Sequence, residues 1–113
     1  MTQPTDPPAL ELTIAGRHFE VTEAFRSHLE EKAAKLPRFY DRVSKVEAVV
    51  EPVDGHTHTV ELIAHVDGHE HFVAKSQHDE ALGAADLAVE KLIRQLHDYK
   101  EKRRNKKHVG RPD

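Results

Sequence analysis

A chain of 113 residues, 37% hydrophobic and 33% charged, has room for one small hydrophobic core and not for two. It contains no cysteine, which excludes thiol catalysis, disulfide frameworks and cysteine-based zinc sites, and no apolar run approaches the roughly 18–20 residues of a membrane helix. The net charge of −3 hides an uneven distribution: residues 1–90 hold 8 Lys/Arg against 17 Asp/Glu, giving −9, and residues 91–113 hold 9 against 3, giving +6.

Residues 1–9, with Pro4, Pro7 and Pro8 among polar neighbours, read as a disordered lead-in with neither the basic start nor the apolar stretch of an export signal. A cytoplasmic location is therefore expected. Leu10-Glu11-Leu12-Thr13-Ile14 alternates at period two, as a half-buried strand does, and Gly16 follows as a break. Thr22 offers an N-cap hydroxyl, and Phe25, Leu29, Ala33 and Leu36 recur at helical spacing until Pro37 stops the run. A connector with Phe39 and Tyr40 leads to a second strand through Val43, Val46, Ala48 and Val50.

Residues 57–66 and 69–75 read as a hairpin about Asp67-Gly68, a favoured two-residue turn. Under that turn Leu62, Ala64, Val66 and Val73 compete with Ile63, Phe72 and Ala74 for the buried face. Leu82, Ala85, Val89, Leu92, Leu96 and Tyr99 then form a continuous stripe at alternating +3 and +4 spacing, the mark of a second amphipathic helix. Residues from 105 onward read as a flexible basic tail. The order is β-α-β-β-β-α: an α+β domain over residues 10–104, with a four-stranded sheet and two helices packed on one face.

Phosphate-loop, dinucleotide, nucleophile-elbow and His-Glu-x-x-His patterns are all missing, so no cofactor and no enzymatic activity are expected. Ten histidines raise a second possibility, a metal-binding or buffering domain, because His56-x-His58 and His69-x-His71 each place two imidazoles on one strand face. The predicted hairpin keeps them apart. With a two-residue turn His71 faces Ala64, His69 faces Val66 and His58 faces Gln77, so no metal site is assigned. The basic residues make the sharper case. Arg26, Lys32, Lys35 and Arg38 on and after the first helix, with Lys91, Arg94, Lys102 and Arg103 beside the stripe of the second, suit a cationic surface that neutralises phosphates.

Several short segments together resemble the short ribosome hibernation-promoting factors, a family also called ribosome-associated inhibitors or sigma-54 modulation proteins. They are Ile14-Ala15-Gly16, Val21-Thr22-Glu23-Ala24-Phe25-Arg26, Ala34-Lys35-Leu36, Phe39-Tyr40-Asp41-Arg42-Val43, His78-Asp79-Glu80 and Lys91-Leu92-Ile93-Arg94-Gln95-Leu96. The resemblance spans residues 12–107. It implies a non-enzymatic protein, monomeric when free, that binds rRNA in the channel of the small ribosomal subunit used by mRNA and by A-site and P-site tRNAs. Blocking that channel would halt translation under stress or in stationary phase. The resemblance assigns rRNA contacts to Arg26, Lys32, Lys35, Arg38, Lys91, Arg94, Lys100 and Lys102, with Arg103 and Arg104 extending the patch. Leu82 stands where the family usually has Tyr, and Asp98 where Lys is common.

Overall fold

Apolar residues at period two in one half of the chain and at +3/+4 in the other need a sheet with a single buried face and helices to cover it. The computed structural model, which describes residues 10–40, 42–66 and 71–109, shows that arrangement. Strands β1 (Glu11–Gly16), β2 (Val43–Pro52), β3 (His58–Val66) and β4 (Phe72–His78) form one sheet in the order β1-β2-β3-β4. β1 runs parallel to β2, and the other two pairings are antiparallel. The parallel pair needs a crossover, which helices α1 (Glu23–Ala33) and α2 (Leu36–Phe39) supply. The long α3 (Ala81–Val109) lies across β3 and β4 and against α1.

Local chemistry sets each boundary. Gly16 closes β1 from within rather than breaking it, because a side chain there would meet the Phe19 carbonyl oxygen as the chain turns back. Thr22 caps α1, its hydroxyl accepting from Phe25 N at 3.1 Å. α1 ends at Ala33, earlier than the apolar spacing predicts, through a tightened turn in which Lys35 N donates to Lys32 O at 3.3 Å. Pro37 does not end that run. It sits in the first turn of α2, where its missing N–H costs nothing. After Pro52, Asp54 Oδ1 accepts from His56 N and Thr57 N, both at 2.8 Å, and these two bonds hold its carboxyl below the usual carboxylate range.

The hairpin departs from expectation in register. Ala64 pairs with Phe72, Leu62 with Ala74, Val60 with Ser76 and His58 with His78, one residue out from the ladder that a two-residue Asp67-Gly68 turn sets. The turn itself lies outside the described residues. The shift resolves the competition between faces, since opposed residues share a face. Val60, Leu62, Ala64, Val66 and Ala74 go inward with Val46, Ala48 and Val50, and Ile63 and Val73 go outward. β4 also runs three residues past the expected Lys75, because His78 still pairs with His58.

Leu29, Leu36, Leu62, Leu92 and Leu96 form the centre of the core, each fully buried. Ala84, Ala85 and Ala88 let the start of α3 approach the sheet closely. Beyond the core, α3 continues to Val109, so the helix takes in residues 105–109 of the expected tail, whose last four residues, 110–113, lie outside the described residues. No Gly or Pro interrupts the chain between Gly83 and Gly110, and Lys/Arg-rich sequence suits a helix C-terminus.

The register makes a direct prediction about stability. Leu62→Ala, which empties a fully buried position, should cost about 2–5 kcal/mol in urea unfolding, whereas Val73→Ala on the open face should cost less than about 0.5 kcal/mol. Equal costs would mean that the two strands pair in the other register.

Candidate nucleic-acid interface

The two helices that cover the sheet carry the cations singled out from sequence, and they are tied to each other. His28 Nε2 of α1 lies 2.7 Å from Asp86 Oδ1 of α3, and Lys32 Nζ lies 4.0 Å from the same oxygen. One anion of the longer helix thus anchors the shorter helix and partly neutralises Lys32. Arg26 is half-buried on α1, and Lys35 and Arg38, where α1 gives way to α2, are exposed.

Along α3 the cations do not form one row. At 100° per residue Lys91 and Lys102 share a flank, Lys100 lies on the opposite flank with Ile93 and Asp86, and Arg94 points between them. Lys91 Nζ donates to Lys75 O of β4 at 2.8 Å, and Gln95 Nε2 donates to Val73 O at 2.9 Å. β4 is an edge strand, so these two side chains occupy carbonyls that a further strand would otherwise use. Arg103 is drawn back over the Tyr99 ring, 5.8 Å from its centroid, and its Nη1 reaches the Tyr99 hydroxyl at 3.4 Å. That hydrogen bond, with the nearby Tyr40, raises the affinity of the guanidinium for its proton. The side chain of Arg104 lies outside the described residues.

Nine of the ten predicted residues therefore fall into three groups: Arg26, Lys32, Lys35 and Arg38 on α1 and α2; Lys91 and Arg94 beside and above β4; and Lys100, Lys102 and Arg103 in the overhanging turns of α3. Acidic groups interleave them, with Glu90 and Asp98 each one turn from Arg94 and His97 Nε2 3.9 Å from Glu101 Oε2. Sequence reasoning missed the roles of Gln95 and Lys91 on the β4 edge. The only signal was their +4 spacing, and its meaning depends on which strand the helix lies over.

The histidines sit elsewhere and in other company than expected. His71 does not face Ala64: its ring packs on His65 at 4.1 Å between centroids, on the open sheet face. His58 opposes His78, not Gln77. His65 Nε2 lies 3.0 Å from Glu47 Oε2, and Lys45 Nζ is 3.5 Å from that oxygen. The hydrogen bond from His65, helped by Lys45, holds the Glu47 carboxyl below its ordinary range. Among the described residues no three His, Asp or Glu side chains gather in a metal-holding group. Likewise, among these residues no helix is long and apolar enough to cross a membrane.

Residues 12–104 match the family model described as sigma 54 modulation protein / S30EA ribosomal protein. The chain is 36% identical over 103 residues to the ribosome hibernation promoting factor of Azotobacter vinelandii, covering 91% of this chain and 94% of that one. It is 37% identical over 93 residues to the factor of the same name from Escherichia coli K12, covering 82% and 96%. Among solved structures, the ribosomal subunit interface protein from Coxiella burnetii superposes with a TM-score of 0.74 at 21% identity, over 81% of this chain and 99% of that one. The N-terminal domain of Thermus thermophilus Protein Y gives 0.70 at 25% identity, over 80% and 98%.

The Glu47 cluster predicts a pH effect of definite sign. A carboxyl that binds its proton less tightly folded than unfolded adds stability above the ordinary carboxylate range and loses it as the pH falls through that range. Thermal melts from about pH 6 to pH 3 should therefore drop less steeply for Glu47→Gln than for the parent. Parallel curves would remove Glu47 from the acid response.

Proposed function

The chain belongs to the sigma 54 modulation protein / S30EA ribosomal protein family, and on that premise we propose that it is a hibernation factor that binds the small ribosomal subunit through rRNA. The similarity to named hibernation promoting factors over nearly the full length of both chains carries this reading. In it, the domain of residues 10–104 occupies the channel used by mRNA and by the A-site and P-site tRNAs, acting as a monomer in the cytoplasm. Translation stops because the channel is filled, not because a bond is made or broken. Starved or stationary cells are where such a block would be useful.

Physical chemistry assigns the contacts their character. Arg26, Lys32, Lys35 and Arg38 on one side, and Lys91, Arg94, Lys100, Lys102, Arg103 and Arg104 on the other, would meet the sugar-phosphate backbone, where a cation releases condensed counterions whatever the base. The shape of the two-helix face then sets where on the rRNA it seats. The acidic groups between the cations keep the face from binding every polyanion equally.

Sedimentation of the protein with purified small subunits across a salt series tests the reading. Binding should weaken steeply with salt, and a variant with Lys91, Arg94, Lys100 and Lys102 all changed to Ala should bind weakly, with a log–log slope shallower by about 0.7–0.9 for each phosphate no longer neutralised. No binding of the parent at low salt, or a flat salt response, would overturn it. At matched ionic strength the parent should also bind more tightly at pH 6 than at pH 7.5, because a chain with ten histidines becomes more positive as the pH falls. Equal affinities would show that the histidines do not contribute.

A further inference from the structure

Between α2 and the outward side of α3 lies a groove of about 350 Å³ lined by Phe39, Glu90, Ile93, Arg94 and His97. Its volume falls in the range of roughly 300–1,000 Å³ typical of small-ligand sites. Phe39 is 37% exposed, whereas Leu36 and Tyr40 on either side of it in the chain are 0% and 6% exposed. The short α2 is thus pinned by two buried side chains and holds one aromatic ring at the surface. Half-buried Ile93 continues the apolar floor, and Arg94, His97 and Glu90 supply polar walls.

We propose that this groove receives one unstacked nucleobase of single-stranded RNA, seated on the Phe39 ring beside Arg94, with Glu90 favouring bases that carry an exocyclic amino group. The inference rests on the ribosome-binding reading and adds what the cationic face lacks, a contact to a base. A phosphate suits the groove poorly: Phe39 and Ile93 offer it nothing, and the Glu90 carboxylate repels it. An apolar protein side chain suits it poorly as well, since it would desolvate Arg94, His97 and Glu90 without pairing them. A base satisfies both halves. Its flat face stacks on an aromatic ring whatever its identity, and its edge presents the donors and acceptors that a guanidinium, an imidazole and a carboxylate can use. Exposed Arg38, next to Phe39 in the chain, and Lys35, four residues before it, are placed for the flanking phosphates.

Two variants separate the ring from its bulk: Phe39→Leu keeps an apolar side chain, and Phe39→Tyr keeps the aromatic face. Because Phe39 is partly exposed, both should melt close to the parent. Binding to short oligo(A), oligo(C) and oligo(U), followed by fluorescence anisotropy on the full chain, tests the groove without a ribosome. Oligo(A) and oligo(C) should bind more tightly than oligo(U) to the parent and to Phe39→Tyr. Phe39→Leu should bind all three roughly 5- to 100-fold more weakly than the parent and lose the preference.

In parallel, dimethyl sulfate probing of small subunits should show at least one adenine or cytosine protected by the parent and by Phe39→Tyr but left reactive with Phe39→Leu. Oligonucleotide binding that ignores Phe39, or a protection pattern unchanged in Phe39→Leu, overturns the groove and leaves the ribosome reading standing. A Phe39→Leu defect in subunit binding with no base protected by the parent also overturns it, and points to a ribosomal-protein side chain. Failure of the parent to sediment with subunits overturns the ribosome reading, while a Phe39-dependent base preference in the oligonucleotides would still uphold the groove.

Discussion

The pairing of Leu62 with Ala74 is the constraint on which the two sides of this molecule depend. A slip of one residue in a ladder of period two moves every side chain of a strand to the other face. In the observed register Leu62, Ala64, Val66 and Ala74 join Val46, Ala48 and Val50 in a single apolar surface, and only that surface can hold α1 and α3. The same register puts His65, His71, Glu47 and Lys45 together on the open face, far from the helices. The histidine–glutamate cluster and the cationic helical face are therefore segregated to opposite sides of one sheet by one hydrogen-bonding choice.

α3 completes what the register begins. Its apolar stripe covers β3 and β4, while Gln95 and Lys91, four residues apart, reach over the flank to the outward carbonyls of Val73 and Lys75. An exposed edge strand is a template for another chain, and a lysine laid along it both occupies an acceptor and adds a charge that discourages pairing. Lys91 thus works for the fold in the free protein. Its ammonium remains exposed, so a phosphate that approaches this flank competes with a backbone carbonyl for it. By contrast, Lys100 and Lys102 lie in the part of α3 that overhangs the sheet, on opposite flanks.

Much of this was legible in the sequence, for identifiable reasons. The +3/+4 spacing through Ala85, Val89, Leu92 and Leu96 and the alternation through Leu12 and Ile14 are local patterns that survive in the fold because tertiary packing agrees with them, whereas Leu82, the predicted start of the stripe, is exposed. The hairpin register was not legible: it depends on the length of a loop, and apolar residues on both faces of β4, with Val73 opposite Phe72 and Ala74, left the pattern undecided. The end of α1 was misplaced because Leu36 keeps the helical spacing even though it belongs to a new turn, in which Pro37 is an initiator. The basic residues were identified by type, but their division between two flanks of α3 emerges only once the helix is laid on the sheet. Phe39 drew no attention as a surface ring because nothing in its neighbourhood distinguishes it from Tyr40, which is buried.

Cations alone account for affinity and not for position. A phosphate presents the same charge at every nucleotide, so a uniformly basic two-helix face would slide along any RNA with equal energy at each step. The described face is not uniform. Glu90, Asp98 and Glu101 stand among Arg94, Lys100 and Lys102, so in the proposed complex a backbone displaced from its seat would meet carboxylates as well as cations. The shared core holds the helices side by side, and the contact of His28 with Asp86 ties α1, with its cations, to α3. A rigid array of both signs selects one path of the backbone by penalising its neighbours. In the proposed complex such an array would join a salt-sensitive affinity to a defined seat.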